Sequence, residues 1–163
     1  MIRLALEKDI DGILVLLEQI LSIHHQGRPD IFKGYGTKFT REDLGRMIRE
    51  DDVRIFVYVD GEDRVLGHCF ATPRDVPETV NTLPYRTLFV EDVCVLDTAR
   101  GQHIGSAMLD YVKSYARENG FDSLTLNVWA FNTRAISFYE KAGLRPQRTI
   151  MEWRPDSDGT GKK

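Results

Sequence analysis

Val93-Cys94-Val95-Leu96-Asp97-Thr98-Ala99-Arg100-Gly101-Gln102-His103-Ile104-Gly105-Ser106-Ala107 is the stretch that decides how this chain is built. An apolar β-type run ends near Leu96 and a short polar turn follows. Ile104, Ala107, Met108, Tyr111, Val112 and Tyr115 then recur at helical spacing up to a stop at Asn119-Gly120. A strand therefore feeds through a glycine-containing loop into a helix. The first N–H groups of a helix have no partners inside it and sit at the positive end of its macrodipole. Together they make an anion site, and small residues such as Gly101 and Gly105 let a phosphate approach the backbone. Alone, such a turn reads first as a plain strand-to-helix connection with glycine used for turn geometry. It lacks the Gly-x-Gly-x-x-Gly spacing of a dinucleotide fingerprint, and no Gly-Lys-Ser/Thr follows to make a P-loop.

Working outward, the strand over Thr87 to Leu96 is apolar on both alternating faces, with Leu88, Val90 and Cys94 on one and Phe89, Val93 and Val95 on the other. A strand of that kind is covered on both sides. Upstream, a short strand over Ile2 to Leu6 precedes a helix from about Asp9, which ends at Gly27 and Pro29. The residues from Arg28 to Phe39 read as loop. Thr40 and Asp43 make a capping box, with Asp in place of the usual Glu or Gln, and open a second helix carrying Leu44, Met47 and Ile48. Ile55 to Val59, the turn Asp60 to Asp63, and Val65 to Phe70 read as a hairpin, followed by a loop with Pro73, Pro77 and Pro84. Downstream, Leu124 to Val128 is a strand. Asn132 or Thr133 caps a helix that stops at Gly143, and a last strand or two is expected between Leu144 and Trp153. The expected fold is α/β in the α+β range, a mixed, mostly antiparallel sheet with helices on both faces. It forms one domain over residues 1–154, with residues 155–163 as a polar, glycine-rich tail.

Arg100, Ile104 and Gly105 match the Arg/Gln-x-x-Gly-x-Gly/Ala loop of a known family, with His103 where a glycine is usual. About 30 residues further on, Asn132-Thr133-Arg134-Ala135-Ile136-Ser137-Phe138-Tyr139, then Gly143-Leu144, match the same family's Asn-x-x-Ala-x-x-Phe-Tyr and Gly-Phe/Leu pattern. On these two motifs, in this order, the chain resembles the GNAT superfamily of acyl-CoA-dependent N-acetyltransferases. The resemblance covers about Val53 to Trp153. Before that, only the order of elements agrees.

The resemblance implies that a primary amine attacks the thioester carbonyl of acetyl-CoA, an oxyanion forms, and the thiolate leaves. This chemistry needs an uncharged amine, a stabilised oxyanion and a proton for the sulphur. Tyr139 stands where the family has its general acid; read by itself, it is an amphipathic core tyrosine. The backbone of Val93, Cys94 and Val95 corresponds to the strand along which the pantetheine arm lies. Arg100, Gly101, Gln102, His103, Ile104, Gly105 and Ser106 would hold the pyrophosphate, with His103 expected to be exposed. Asn132 is an N-cap by its own chemistry and a pantetheine contact by resemblance. Glu91 would take the amine proton, directly or through a water, and its other reading is a salt-bridged strand residue. Asp92 is the second acid, and strand alternation puts the two on opposite faces unless a bulge intervenes. His24 and His25 have no third ligand at metal spacing, so no metal is expected. With Arg28, Asp30 and Phe32 they fall where the family borders its acceptor pocket.

A chain of 163 residues with 42% hydrophobic and 29% charged residues buries a core without a metal or a disulfide. Cys69 and Cys94 lie in apolar runs and read as buried thiols. A net charge of −3 argues against a nucleic-acid partner. No run approaches the roughly 18 apolar residues of a membrane span, and the charged start of the chain lacks a signal-peptide pattern, so a cytoplasmic protein is expected. The acceptor is a small-molecule or peptide amine of open identity. Transfer of another acyl group and a non-catalytic CoA-binding regulatory module are the alternatives. Dimers are common in the family, which leaves a homodimer open.

Overall fold

The computed structural model describes residues 1–155, so the expected tail lies outside the described residues except for Pro155. The elements run β1 (Ile2–Leu4), α1 (Ile10–Gly27), α2 (Arg41–Glu50), β2 (Arg54–Val59), β3 (Val65–Val76), β4 (Tyr85–Val95), α3 (Ile104–Glu118), β5 (Ser123–Leu126) and α4 (Thr133–Lys141). Short 3₁₀ turns at Glu7–Asp9 and Asp97–Ala99 precede α1 and the loop before α3. The strands form one sheet in the order β1-β2-β3-β4-β5, antiparallel throughout except for the parallel pair β4–β5.

Two apolar cores lie on the two faces. Ile13, Leu17, Leu44, Ile55, Val57 and Phe70 pack α1 and α2 against one face, and Phe56, Cys69, Leu88, Val90, Met108 and Val112 pack α3 against the other. The Thr40 capping box forms as read: Asp43 N donates to Thr40 Oγ1 at 3.1 Å and Thr40 N donates to Asp43 Oδ2 at 2.9 Å. Asp is long enough to close the box even though Glu is more usual. Gly67 sits at a close approach of α3 to the sheet, because a Cβ there would stand 2.9 Å from Met108 Sδ and 3.1 Å from Cys94 O.

Three local expectations need correction. Pro73 lies inside β3, which runs on to Val76 paired with β4. Proline is tolerated there because β2 has already ended opposite Ala71, leaving β3 as a sheet edge. The strand expected between Leu144 and Trp153 does not form; residues 144–154 adopt no regular element. Pro146 removes a ladder donor early in that segment. Its later charges are fastened elsewhere: Glu152 pairs with Arg28 at 3.0 Å and Arg154 with Asp30 at 2.5 Å. The third correction concerns β4, where the site begins.

Candidate active site

The ladder between β3 and β4 pairs Phe70 with Asp92 and Ala71 with Val90, so Glu91 is an extra residue, a β-bulge. The bulge inverts the alternation. Val90 packs on the α3 face, yet Val93 and Val95 join it there, and Asp92 and Cys94 stand opposite Phe70 and His68 toward the α1 face. The strand is covered on both sides as its composition implies, but Cys94 is on the other face from Leu88 and Val90.

β5 pairs with β4 only from Thr87 to Val90. Beyond the bulge β4 continues without it, and a strand edge is left open. Leu96 N donates to Leu66 O at 2.8 Å, which makes that pair hydrogen-bonded. By alternation, the backbone groups of Val93 and Val95 point to the open edge. Gln19 reaches over from α1 to this edge: its amide nitrogen donates to Val95 O at 2.9 Å, and its oxygen accepts from Asp97 N at 2.9 Å.

The loop after β4 leads into the helix start at which the sequence places an anion site. Arg100 pairs with Asp97 across the 3₁₀ turn. Gly101 has φ +82° and His103 φ +59°, so the chain makes two left-handed residues in three before α3 begins. That geometry is why glycine is usual at the His103 position: a side chain there costs about 1–2 kcal/mol. His103 is exposed, as expected. The first bond onto the helix is Ala107 N to His103 O at 3.0 Å, so the amides of Ile104, Gly105 and Ser106 precede the ladder and are open to an anion. Gly105 serves packing as well, since a Cβ on it would face Phe138 Cζ at 3.4 Å and Val95 Cγ2 at 3.7 Å.

The parting of β4 and β5 opens a cavity of about 460 Å³. Its walls come from α1, the loop after it, the bulge of β4, the residues following β5, and α4. Tyr139 lines it, and burial pushes its phenol well above the ordinary range, with Cys69, Asp92 and Cys94 acting in the same direction. At neutral pH the group is therefore a protonated donor. Asn132 also lines the cavity, and its side chain caps α4 by accepting from Ala135 N at 3.1 Å. His24 and Phe32 border the cavity, their rings 4.9 Å apart, and Phe32 meets Trp129 edge-on at 5.4 Å. Burial holds the His24 imidazole below its ordinary value, partly opposed by Asp92. His25 turns away, its Nδ1 2.7 Å from Phe32 O. Arg28 and Asp30 pair with each other at the rim, with Arg28 over Trp129.

Both acids line the cavity, because the bulge removes the opposition that plain alternation would impose. Glu91 is 27% exposed at its side chain; Arg74 Nη2 donates to its Oε1 at 3.0 Å and Lys38 Nζ stands 3.9 Å from its Oε2. Asp92 is nearly enclosed, and behind it His68 is wholly buried, with Nε2 4.0 Å from Asp92 Oδ1. Both His68 ring nitrogens and Asp92 Oδ1 are buried without a hydrogen-bond partner among the described residues. Such a group ordinarily costs about 1–3 kcal/mol. Cys94 is pushed up to about 12 and Cys69 is raised too, both by burial, so the two thiols stay protonated. Gln19, Lys38, His68 and Trp129 were not singled out from the sequence. For His68 a signal exists: it is the lone basic side chain in the apolar run Val65 to Phe70.

Fold and site together define a class: a mixed sheet split between its fourth and fifth strands, with an anion-ready helix start beside the split. The chain belongs to the acetyltransferase (GNAT) family, whose model matches residues 17–144. The match begins within α1, earlier than the motifs alone reach. A mutant of the BH1408 protein from Bacillus halodurans has the same fold with a TM-score of 0.90 and 26% identity, covering 94% of this chain and 98% of that one. An aminoglycoside N-acetyltransferase in complex with CoA shares the fold at a TM-score of 0.70 and 14% identity, over 94% of this chain and 98% of that one. The thialysine N-epsilon-acetyltransferase of Bos taurus is 32% identical over 68 residues, which span 42% of this chain and 40% of that protein. Among the described residues no helix is long and apolar enough to cross a membrane.

Proposed function

We propose that the protein is an acetyl-CoA-dependent N-acetyltransferase acting on a primary amine. The observation that carries this reading is the open edge of Val93 and Val95, which runs directly into the unpaired amides at the start of α3 and has Tyr139 on the wall of the same cavity. The edge offers N–H and C=O groups of the kind an amide-bearing pantetheine arm adds to as a strand would. Gln19 already uses one of them, Val95 O, in the manner of such an amide. The amides of Ile104, Gly105 and Ser106, with the backbone of Gly101, Gln102 and His103 and the guanidinium of Arg100, are suited to the pyrophosphate.

The acceptor enters on the side of the bulge. Glu91, held by Arg74 and Lys38, attracts an ammonium group and takes its proton, directly or through one water. The lone pair of the neutral amine attacks the thioester carbonyl, and when the C–S bond breaks Tyr139 donates its proton to the sulphur. The aromatic wall of Phe32 and Trp129 beside these acids suits an aliphatic amine chain.

The test is release of free thiol from acetyl-CoA with a panel of amines that includes thialysine, lysine, spermidine and an amino sugar. Release that requires one of the amines, with the acetyl group recovered on its nitrogen, is expected. Tight binding of acetyl-CoA with no release for any amine would make the protein a binding module instead. Faster turnover with propionyl- or succinyl-CoA would reassign the acyl group.

A further inference from the structure

Acetyl transfer to an ammonium group removes two protons from nitrogen, and only one is needed on the sulphur. The first must leave before attack. The second leaves after attack, when the nitrogen of the tetrahedral intermediate is cationic, and it leaves inside the cavity. Glu91 suits the first task because it is partly exposed and can pass a proton to solvent. Both its oxygens already face cations, Arg74 at 3.0 Å and Lys38 at 3.9 Å. The second task needs an acceptor that does not depend on water.

We infer that Asp92, backed by His68, takes the second proton from the nitrogen and returns it to Tyr139. The inference rests on the acetyltransferase reading above. Asp92 is the acid that the bulge brings to the cavity wall from the enclosed side, and its Oδ1 has no hydrogen-bond partner among the described residues. His68 stands opposite Cys94 on β3 and meets Phe70 edge-on at 5.0 Å, so its ring is fixed by packing. Its Nε2 is 4.0 Å from Asp92 Oδ1, about 1 Å beyond a hydrogen bond. A turn of the Asp92 side chain closes that gap. An imidazole is an unusual choice for a wholly buried position unless its nitrogens are used, and here neither has a hydrogen-bond partner among the described residues. Ionisable groups that feel Asp92 electrostatically include Tyr139 from α4, His24 from α1, and the thiols of Cys69 and Cys94, and Glu91 and Lys38 line the same cavity.

The step balances. The amine lone pair forms the N–C bond and the carbonyl electron pair moves to oxygen. On collapse that pair returns, the C–S bond breaks, and sulphur takes the phenolic proton of Tyr139. The cationic nitrogen gives its proton to Asp92, which passes it to the Tyr139 phenolate. His68 touches no reacting atom; as a positioning residue, it donates a hydrogen bond to the Asp92 carboxylate each time that group is deprotonated. The pair ends the cycle as it began, and one proton in all goes to solvent, through Glu91.

The experiment is a double-substitution cycle on the whole protein with His68→Gln and Asp92→Asn, both close in shape to the originals. The amine used is whichever of the panel the wild-type protein acetylates fastest, in single turnover. Asp92→Asn should slow acyl transfer by about 10²-fold, and His68→Gln by roughly tenfold. The double variant should be no slower than Asp92→Asn alone, with KM for both substrates unchanged. Independent structural damage would instead add in the double variant and move KM. A proton inventory in mixed light and heavy water gives a reading that needs no His68 variant: a bowed dependence for the wild type and a straight one for Asp92→Asn. Additive losses, unchanged rates in both variants, or identical inventories overturn the relay while leaving the transferase reading in place. A wild-type protein that acetylates none of the amines overturns the transferase reading, and the relay falls with it.

Discussion

Tyr139→Phe is the substitution that isolates one proton. The phenylalanine ring keeps the contact with Phe138, whose centroid lies 5.2 Å away, and the phenol makes no hydrogen bond among the described residues. The folded protein therefore loses almost no interaction energy, within about 0.5 kcal/mol. The rate of acyl transfer should fall by about 10²- to 10⁴-fold, the usual contribution of a positioned general acid, or roughly 3–5 kcal/mol at 1.36 kcal/mol per decade. Affinity for acetyl-CoA should hold, since the open edge and the α3 amides are untouched. The pH dependence sharpens the test. Burial raises the phenol, so the protonated donor form persists from neutral pH to beyond the ordinary tyrosine value near 10. The single-turnover rate of the wild type should accordingly show no decline assignable to Tyr139 below pH 10. Stability has the same sign: the buried phenol leaves the fold intact below the ordinary value, and as pH climbs beyond it the cost of burying the phenolate destabilises the folded state relative to the unfolded chain. Quenched-flow measurement of acetylated product gives the rate, and calorimetry gives the affinity. Near wild-type single-turnover rates in Tyr139→Phe, or an alkaline decline starting below pH 10 that the substitution abolishes, would refute the assignment.

Three further outcomes follow from the geometry. Glu91→Gln should slow the reaction near neutral pH and recover as pH approaches the amine's own value near 10.4, because only about one alkylamine in 2,500 is neutral at pH 7; a pH–rate profile parallel to wild type would remove Glu91 from the deprotonation. Ser106→Asp places a carboxylate in the exposed first turn of α3, where it should favour the helix by about 0.3–1 kcal/mol yet weaken acetyl-CoA binding tenfold or more, and calorimetry showing equal affinity would move the pyrophosphate elsewhere. Gly67→Ala should destabilise the fold by about 1–3 kcal/mol, as its Cβ meets Met108 Sδ at 2.9 Å and Cys94 O at 3.1 Å, which a thermal melt would register as a drop of several degrees.

The local signals were strong wherever one residue type answers one backbone need. Thr40 with Asp43, Asn132 at the start of α4, and Gly101 before α3 each satisfy unpaired amides or a left-handed turn within a few residues, and such needs are written in the sequence itself. The order of strands and helices up to α4 followed from periodicity, and the two motifs marked the loop before α3 and the helix that carries Tyr139. Position across the sheet was another matter. One added residue at Glu91 leaves the composition of β4 unchanged but moves every later side chain to the opposite face. Bulges are set by the ladder with the neighbouring strand, so Asp92 joined Glu91 at the cavity only in three dimensions. His68 and Gln19 act across 24 and 76 residues of chain, on Asp92 and Val95, and the sequence carries no spacing rule for contacts made between elements. The final segment shows the same limit in reverse: its pattern suited a strand, but ion pairs of Glu152 and Arg154 with Arg28 and Asp30 hold it elsewhere. Local conformation is decided by nearest neighbours along the chain, whereas the assembly of the cavity and its lining is decided by packing between residues far apart in it.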